Sequence, residues 1–164
     1  MTGIEAIRTS LRSTQHLVTW FIGDLSDADL LVRPVAGANH IAWQMGHMIL
    51  SERAMIGKEM PGAAYPELPA GFAERHAKAT AAIDPPTGFA DKAAYLGVFT
   101  QTRESTVAAL GTLADADLDR PIAGPMAQIA PTLGALFLLA ANHSLMHAGQ
   151  FSVVRRKLGK PILF

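Results

Sequence analysis

Apolar residues recur along this chain three and four positions apart, in long runs separated by stretches marked with proline and glycine. In the first run Ile4, Ile7, Leu11, Val18 and Phe21 follow this spacing for the most part, which places their side chains on one face of an α-helix. Thr2 and Glu5 stand at the Thr-x-x-Glu spacing of a capping box, so a helix is predicted from there to about Gly23. A second helix is predicted after Asn39, a good N-cap, through "HIAWQMGHMILSERAM", with His40, Trp43, His47, Leu50 and Ala54 on its inward stripe. Residues 61–88 are rich in Pro, Ala and Gly and read as a long connection holding a short helix over 72–81. A third long helix is predicted over 91–113, with Leu96, Phe99, Thr106, Leu110 and Leu113 facing inward. The fourth is predicted over 132–159, where Gly159 followed by Pro161 is a strong stop. Alternation of period two is absent, and the predicted class is all-α.

The halves repeat. "LSDADLLVRPVAG" at 25–37 returns as "LADADLDRPIAG" at 113–124, and each copy is followed by matching landmarks, Ile41 and Gly46 against Ile129 and Gly134. Two related helical hairpins joined by a long crossover predict a four-helix bundle, one domain over 1–164. In the shared Arg-Pro, proline fixes the turn, and Arg33 and Arg120 are expected to bond exposed helix-end carbonyls.

Composition narrows the function classes. The chain has 164 residues, 14 basic and 14 acidic, and no cysteine. Zero net charge lacks the basic footprint of a nucleic-acid binder. Without cysteine, histidine and carboxylate remain as metal ligands. The most apolar uncharged stretch, 129–141, is interrupted by Pro131 and falls short of the ~20 residues of a membrane span. The amino terminus is patterned as a helix rather than a signal segment. A soluble, cytoplasmic protein is the expectation.

Candidate chemistry lies in "AANHSLMHAGQ". The predicted inward stripe of the last helix runs Leu133, Leu136, Ala140, His143, His147, Gln150, Val154, so two histidines occupy positions where a bundle wants leucine. Unpartnered, each buried polar group would cost about 1–3 kcal/mol. A metal ion compensates for this, since histidines four apart can reach one cation. His47 on the second helix is the expected third ligand. His40, in that helix's first turn, reads as a solvent-near or hydrogen-bonded residue that could assist the site. His16 and His76 read as surface or structural. Glu52 is rotated away from His47 and is expected to act, if at all, behind the ligands, while Gln150 could support a ligand or touch substrate. Arg155, Arg156 and Lys157 read as a solvated face favouring the helix dipole. Trp43, Met45, Met48 and Met146 read as core, and the closing "PILF" as packed on the bundle or on a partner subunit.

With these residues in hand, the sequence resembles the DinB-like superfamily of bacterial proteins. "HIAWQMGHMILSE" is similar to that family's first metal-histidine segment and "NHSLMHAGQ" to its second, and the resemblance spans essentially the whole chain. It implies a four-helix bundle, often a homodimer, holding one divalent metal on His47, His143 and His147. Some relatives are thiol-dependent transferases that use mycothiol, bacillithiol or a similar cofactor; others act as isomerases or hydrolases. Three neutral histidines leave open coordination positions, as in catalytic rather than structural zinc sites, and an open cation can acidify a water or a thiol. A thiol would have to come from a small molecule. The expectation is therefore a metal-dependent transferase that activates a small-molecule thiol, with zinc the first metal and nickel, manganese or iron also suited to imidazole. A metal-dependent hydrolase using water, and a non-catalytic metal-binding stress or dimerisation protein, are the alternatives. No residue presents itself as general base.

Overall fold

The capping box closes as expected. Thr2 Oγ1 accepts from the Glu5 amide at 3.2 Å, and Glu5 Oε2 accepts from the Thr2 amide at 2.8 Å. These bonds open α1, Gly3–Gly23. The computed structural model describes residues 1–163, and among these the long elements are all helices. α2 is Ile41–Glu59, α3 a single turn at Phe72–Arg75, α4 Lys92–Leu110 and α5 Leu133–Lys157. Of the helix predicted over 72–81, only α3 and a 3₁₀ turn at Lys78–Thr80 form.

One cap differs from expectation. His40, not Asn39, caps α2: its Nδ1 accepts from the Trp43 amide at 3.2 Å. Nδ1 of histidine sits as many bonds from the backbone as Oδ1 of asparagine, so it can do the same work. Nor is His40 near solvent. Its ring is fully buried and lies edge-on to Phe89 at 4.5 Å.

α1 and α2 each pack against both α4 and α5. The two helices of each sequence half therefore sit diagonally, each wedged between the helices of the other half. Arg155 near the end of α5 bonds the Phe21 carbonyl near the end of α1, so these neighbours run parallel. α2 and α4 also run parallel, with Gly46 near Tyr95 through the His76 ring, and Glu52 beside Arg103. A parallel pair forces the chain to return the full length of α2, about 28 Å. The long crossover meets that requirement. It is pinned to the bundle by His76, whose ring nitrogens bond the Phe72 carbonyl and the Tyr95 hydroxyl, each at 2.7 Å.

The repeated connectors share local chemistry and diverge in their contacts. Asp29 Oδ2 accepts from the Ser26 amide, and Asp117 Oδ2 from the Ala114 amide. Arg120 bonds the Glu59 carbonyl at the end of α2, as expected of the Arg-Pro pair. Arg33 instead bonds loop carbonyls, those of Ala38, Ala81 and Ile83, tying the first connector to the crossover. The matching glycines are both places of close approach: a Cβ at Gly134 would meet Leu118 at 3.1 Å, and one at Gly46 would meet the His76 ring at 2.2 Å.

The core consists of two apolar clusters divided by a polar layer to which every long helix contributes. On α1, Thr14 separates Leu11 from Val18; on α2, Glu52 separates Ile49 from Ile56; on α5, Ser144 separates Ala141 from Ala148. Arg103 of α4, fully buried, joins them. Its guanidinium donates to both Glu52 carboxylate oxygens, to the Leu11 carbonyl, to Thr14 Oγ1 and to Ser144 Oγ at 2.6 to 3.2 Å. Glu52 thus belongs to the bundle centre and not to the histidines. Arg155 also departs from expectation. It is buried, paired with Asp24, and donates to the Pro161 carbonyl at 3.2 Å. That bond folds the end of the chain back, and Leu163 packs on the core; Phe164 lies outside the described residues. Met146 faces solvent, while Trp43, Met45 and Met48 are core.

Two buried histidines make the fold acid-sensitive. Burial, the largest effect, holds both His40 and His76 below the ordinary value, and His40 is pushed down to about 4 with Arg33 adding repulsion. The unfolded chain therefore takes up protons first as pH falls, starting near 6.5. Stability is expected to decline from pH 6.5 towards 4, with His40 contributing about 2–3 kcal/mol by pH 4.5. Urea titrations at pH 7.5 and 4.5 measure this. His40→Asn keeps a cap acceptor and should show a shallower decline; an unchanged pH slope in that variant would refute the role of His40.

Candidate metal centre

The outer seam between α2 and α5 gathers three imidazoles. α2 and α5 run antiparallel there, which sets His47 opposite His143 and His147, and the ring centroids lie 4.7 to 5.4 Å apart. One ring nitrogen from each comes within 4.8 Å of the others. Among the described residues this is the one group of histidines and carboxylates so arranged. His147 is buried, at 4% exposure, while His47 and His143 are half-buried. The cluster is therefore open on one side.

Neighbours hold each ring. Trp43 stacks on His47 at 5.0 Å with the planes 8° apart. Its indole Nε1 reaches the Ala77 carbonyl and Thr80 Oγ1 at 3.3 Å, so the crossover braces the stack. His147 Nδ1 meets Gln44 Oε1 at 2.8 Å, and His147 Nε2 lies 3.2 Å from His143 Nε2.

All three rings are held below the ordinary histidine value. For His47 the cause is burial; for His143 it is burial and then the charge of His47. His147 is pushed to about 3 by burial first, then by His143 and His47. The cluster stands neutral at neutral pH, the state in which imidazole binds metal without first losing a proton. The donor set also fits a cation in spacing. Two nitrogens bound at about 2.0–2.1 Å to one ion lie about 3 Å apart, close to the 3.2 Å between His143 and His147.

The other predicted site residues fall elsewhere. Glu52 is held by Arg103 and His40 by its capping role. Gln150 is exposed rather than inward. Gln44 is the residue that sequence reasoning missed. Its signal is a polar side chain inside the apolar run from Ile41 to Met45, where an unpartnered amide would be costly.

Two open grooves lie along the same seam, one towards each end of α2, and none of the three histidines lines either. At one end Pro34, Val35, Asn39, Gln44, Gln150 and Val153 help line about 370 Å³. At the other, Ala54, Met55, Lys58, Met126 and Leu136 help line about 170 Å³.

These features define an all-α bundle protein with a three-histidine cluster on the seam between two of its helices. The chain belongs to the DinB superfamily, which matches over residues 10–151. In fold it is similar to the crystal structure of a conserved protein from Enterococcus faecalis, with a TM-score of 0.72 and 16% identity over 98% of this chain and 99% of that one. No curated protein matches the chain. No helix among the described residues is long and apolar enough to cross a membrane.

Proposed function

We propose that His47, His143 and His147 hold one divalent metal ion, and that the chain is a transferase acting on a small-molecule thiol. The observation that carries the metal reading is the convergence of three neutral imidazoles within 4.8 Å, open to solvent on one side. A divalent ion held there would supply Lewis acidity, favouring the deprotonated form of a thiol or water near neutral pH. Zinc suits the all-imidazole set, as do nickel, manganese and iron.

The rest of the chemistry falls to the chain's own residues. The groove that Gln44 helps line adjoins a residue bonded to His147, which gives one reactant a place near the cluster. The larger groove is lined by amides and apolar side chains, with no charged group among its lining, so it suits an uncharged, hydrogen-bonding ligand. Trp43 and the packed helices close the inner side of the cluster to water. With no cysteine in the chain, the thiol must arrive as a cosubstrate.

The test begins with metal per chain, measured by elemental analysis on protein purified without a histidine tag or chelator. Near one equivalent is expected in the wild type, falling to below about a tenth in His47→Ala and His143→Ala, since an open site has no ligand to spare. A wild type that stays empty after incubation with zinc, nickel and manganese would end the metal reading. Addition of 2-mercaptoethanol to the cobalt(II)-loaded chain should produce a sulfur-to-cobalt charge-transfer band. If none develops, the thiol part fails and hydrolysis with water becomes the better reading.

A further inference from the structure

We infer that Gln44 is the positioning residue that sets the tautomer and aim of His147 for metal binding; the inference rests on the metal reading above.

One atom beside Gln44 can play only one part. The Asn39 carbonyl oxygen accepts hydrogen bonds and cannot donate, and it lies 2.7 Å from Gln44 Nε2. The amide nitrogen must face it, which turns Oε1 of Gln44 the other way, towards His147 Nδ1 at 2.8 Å. That oxygen also only accepts, so Nδ1 must carry the ring proton. Nε2 is then left bare, and it is Nε2 that faces His143 at 3.2 Å. The chain Asn39 carbonyl, Gln44 amide, His147 ring thus fixes which nitrogen is free to coordinate.

Burial makes the arrangement rigid. Gln44 is 2% exposed and His147 4%, so water does not compete for either bond, and turning the amide over would set two acceptors, Oε1 and the Asn39 carbonyl, face to face. The carbonyl comes from the turn just ahead of α2, whose start is fixed by the His40 cap. Of the three histidines, His147 is the most buried and has the least freedom to find its own orientation. Hydrogen-bond partners behind metal-binding histidines typically contribute 10–100-fold to metal affinity. A neutral amide in this place orients the ring without adding negative charge, so a loaded site keeps the full charge of its cation and favours an anionic ligand at the open positions.

The test compares the wild type with Gln44→Met, which keeps an unbranched side chain of similar length, and Gln44→Glu, which keeps an acceptor facing the ring. Two quantities are read on each: zinc affinity by chelator competition, and the His147 ring tautomer by ¹⁵N NMR on the metal-free chain. The wild-type ring should carry its proton on Nδ1. Gln44→Met should bind zinc 10–100-fold more weakly with a mixed tautomer, and Gln44→Glu should retain affinity within several-fold of the wild type. A role in folding alone would shift the thermal midpoint while leaving affinity per folded molecule and the tautomer unchanged. Gln44→Met with wild-type zinc affinity, or a wild-type ring protonated on Nε2, would overturn the inference. Should Gln44→Met fail to fold, the wild-type tautomer and the Gln44→Glu affinity still decide it. A wild type that binds no zinc while its ring is protonated on Nδ1 would instead defeat the metal reading and leave the orientation of His147 intact.

Discussion

Arg103→Met is expected to destabilise the bundle by about 3–5 kcal/mol, the largest loss predicted for any single side chain here. The guanidinium is fully buried and satisfies groups on the three other long helices. Its removal leaves the Glu52 carboxylate without a cation at 2% exposure, and leaves the Leu11 carbonyl and the Thr14 and Ser144 hydroxyls short of a donor. The unpaired charge dominates, because a carboxylate stranded in low dielectric costs more than any one neutral hydrogen bond. Chemical denaturation measures the effect. The double variant Glu52→Met/Arg103→Met should recover much of the loss, since an apolar pair of similar volume leaves no buried charge. A single-variant loss below 1 kcal/mol would mean that water reaches the layer. The histidine cluster does not share these bonds, so the folded fraction of Arg103→Met should match the wild type in metal per chain.

Gly46→Ala should cost about 2–4 kcal/mol, far more than the removal of one glycine from a helix would suggest. A mid-helix Gly→Ala change ordinarily stabilises. Here the new methyl would stand 2.2 Å from the His76 ring. The ring cannot step aside cheaply, because both its nitrogens are bonded and it is 3% exposed. Either α2 shifts or His76 leaves, stranding the buried Tyr95 hydroxyl. Release of the ring should detach the crossover, seen as faster limited proteolysis within residues 60–91. His76→Ala combined with Gly46→Ala should show clear non-additivity, because the clash vanishes with the ring. A variant as stable as the wild type would show that the crossover has slack.

The cap of α1, the starts of α4 and α5, the duplicated connector and the stop at Gly159 were legible because each depends on a few neighbouring residues. The three histidines were legible for the same reason: their spacing is local, and only their meeting is not. The inward stripe of α5 was misread towards its end. Steps of 3, 4, 3, 4 follow a period of 3.5, while a straight helix turns every 3.6 residues and drifts about 20° per heptad. By the last turns the buried face has widened to Ser144, His147, Ala148, Phe151, Val154 and Arg155. His143 is thereby left at the rim and Gln150 outside. The polar layer was invisible for a different reason. Thr14, Glu52, Arg103 and Ser144 are ordinary polar residues in sequence, and only their meeting across four helices makes them core.

Because each half of the duplicated sequence sets its two helices on opposite corners of the bundle, neither half has an interior to fold around. The chain leaving the ribosome cannot settle its first half and then add the second, as independent units do. α1 and α2 wait for α4 to bring Arg103 to Glu52, and the histidine cluster waits longer, until His147 near the far end of α5 has been made. A nascent chain stopped short of that point lacks one of the three imidazoles that meet on the α2–α5 seam. The cluster is thus completed only when the two halves of the chain have come together.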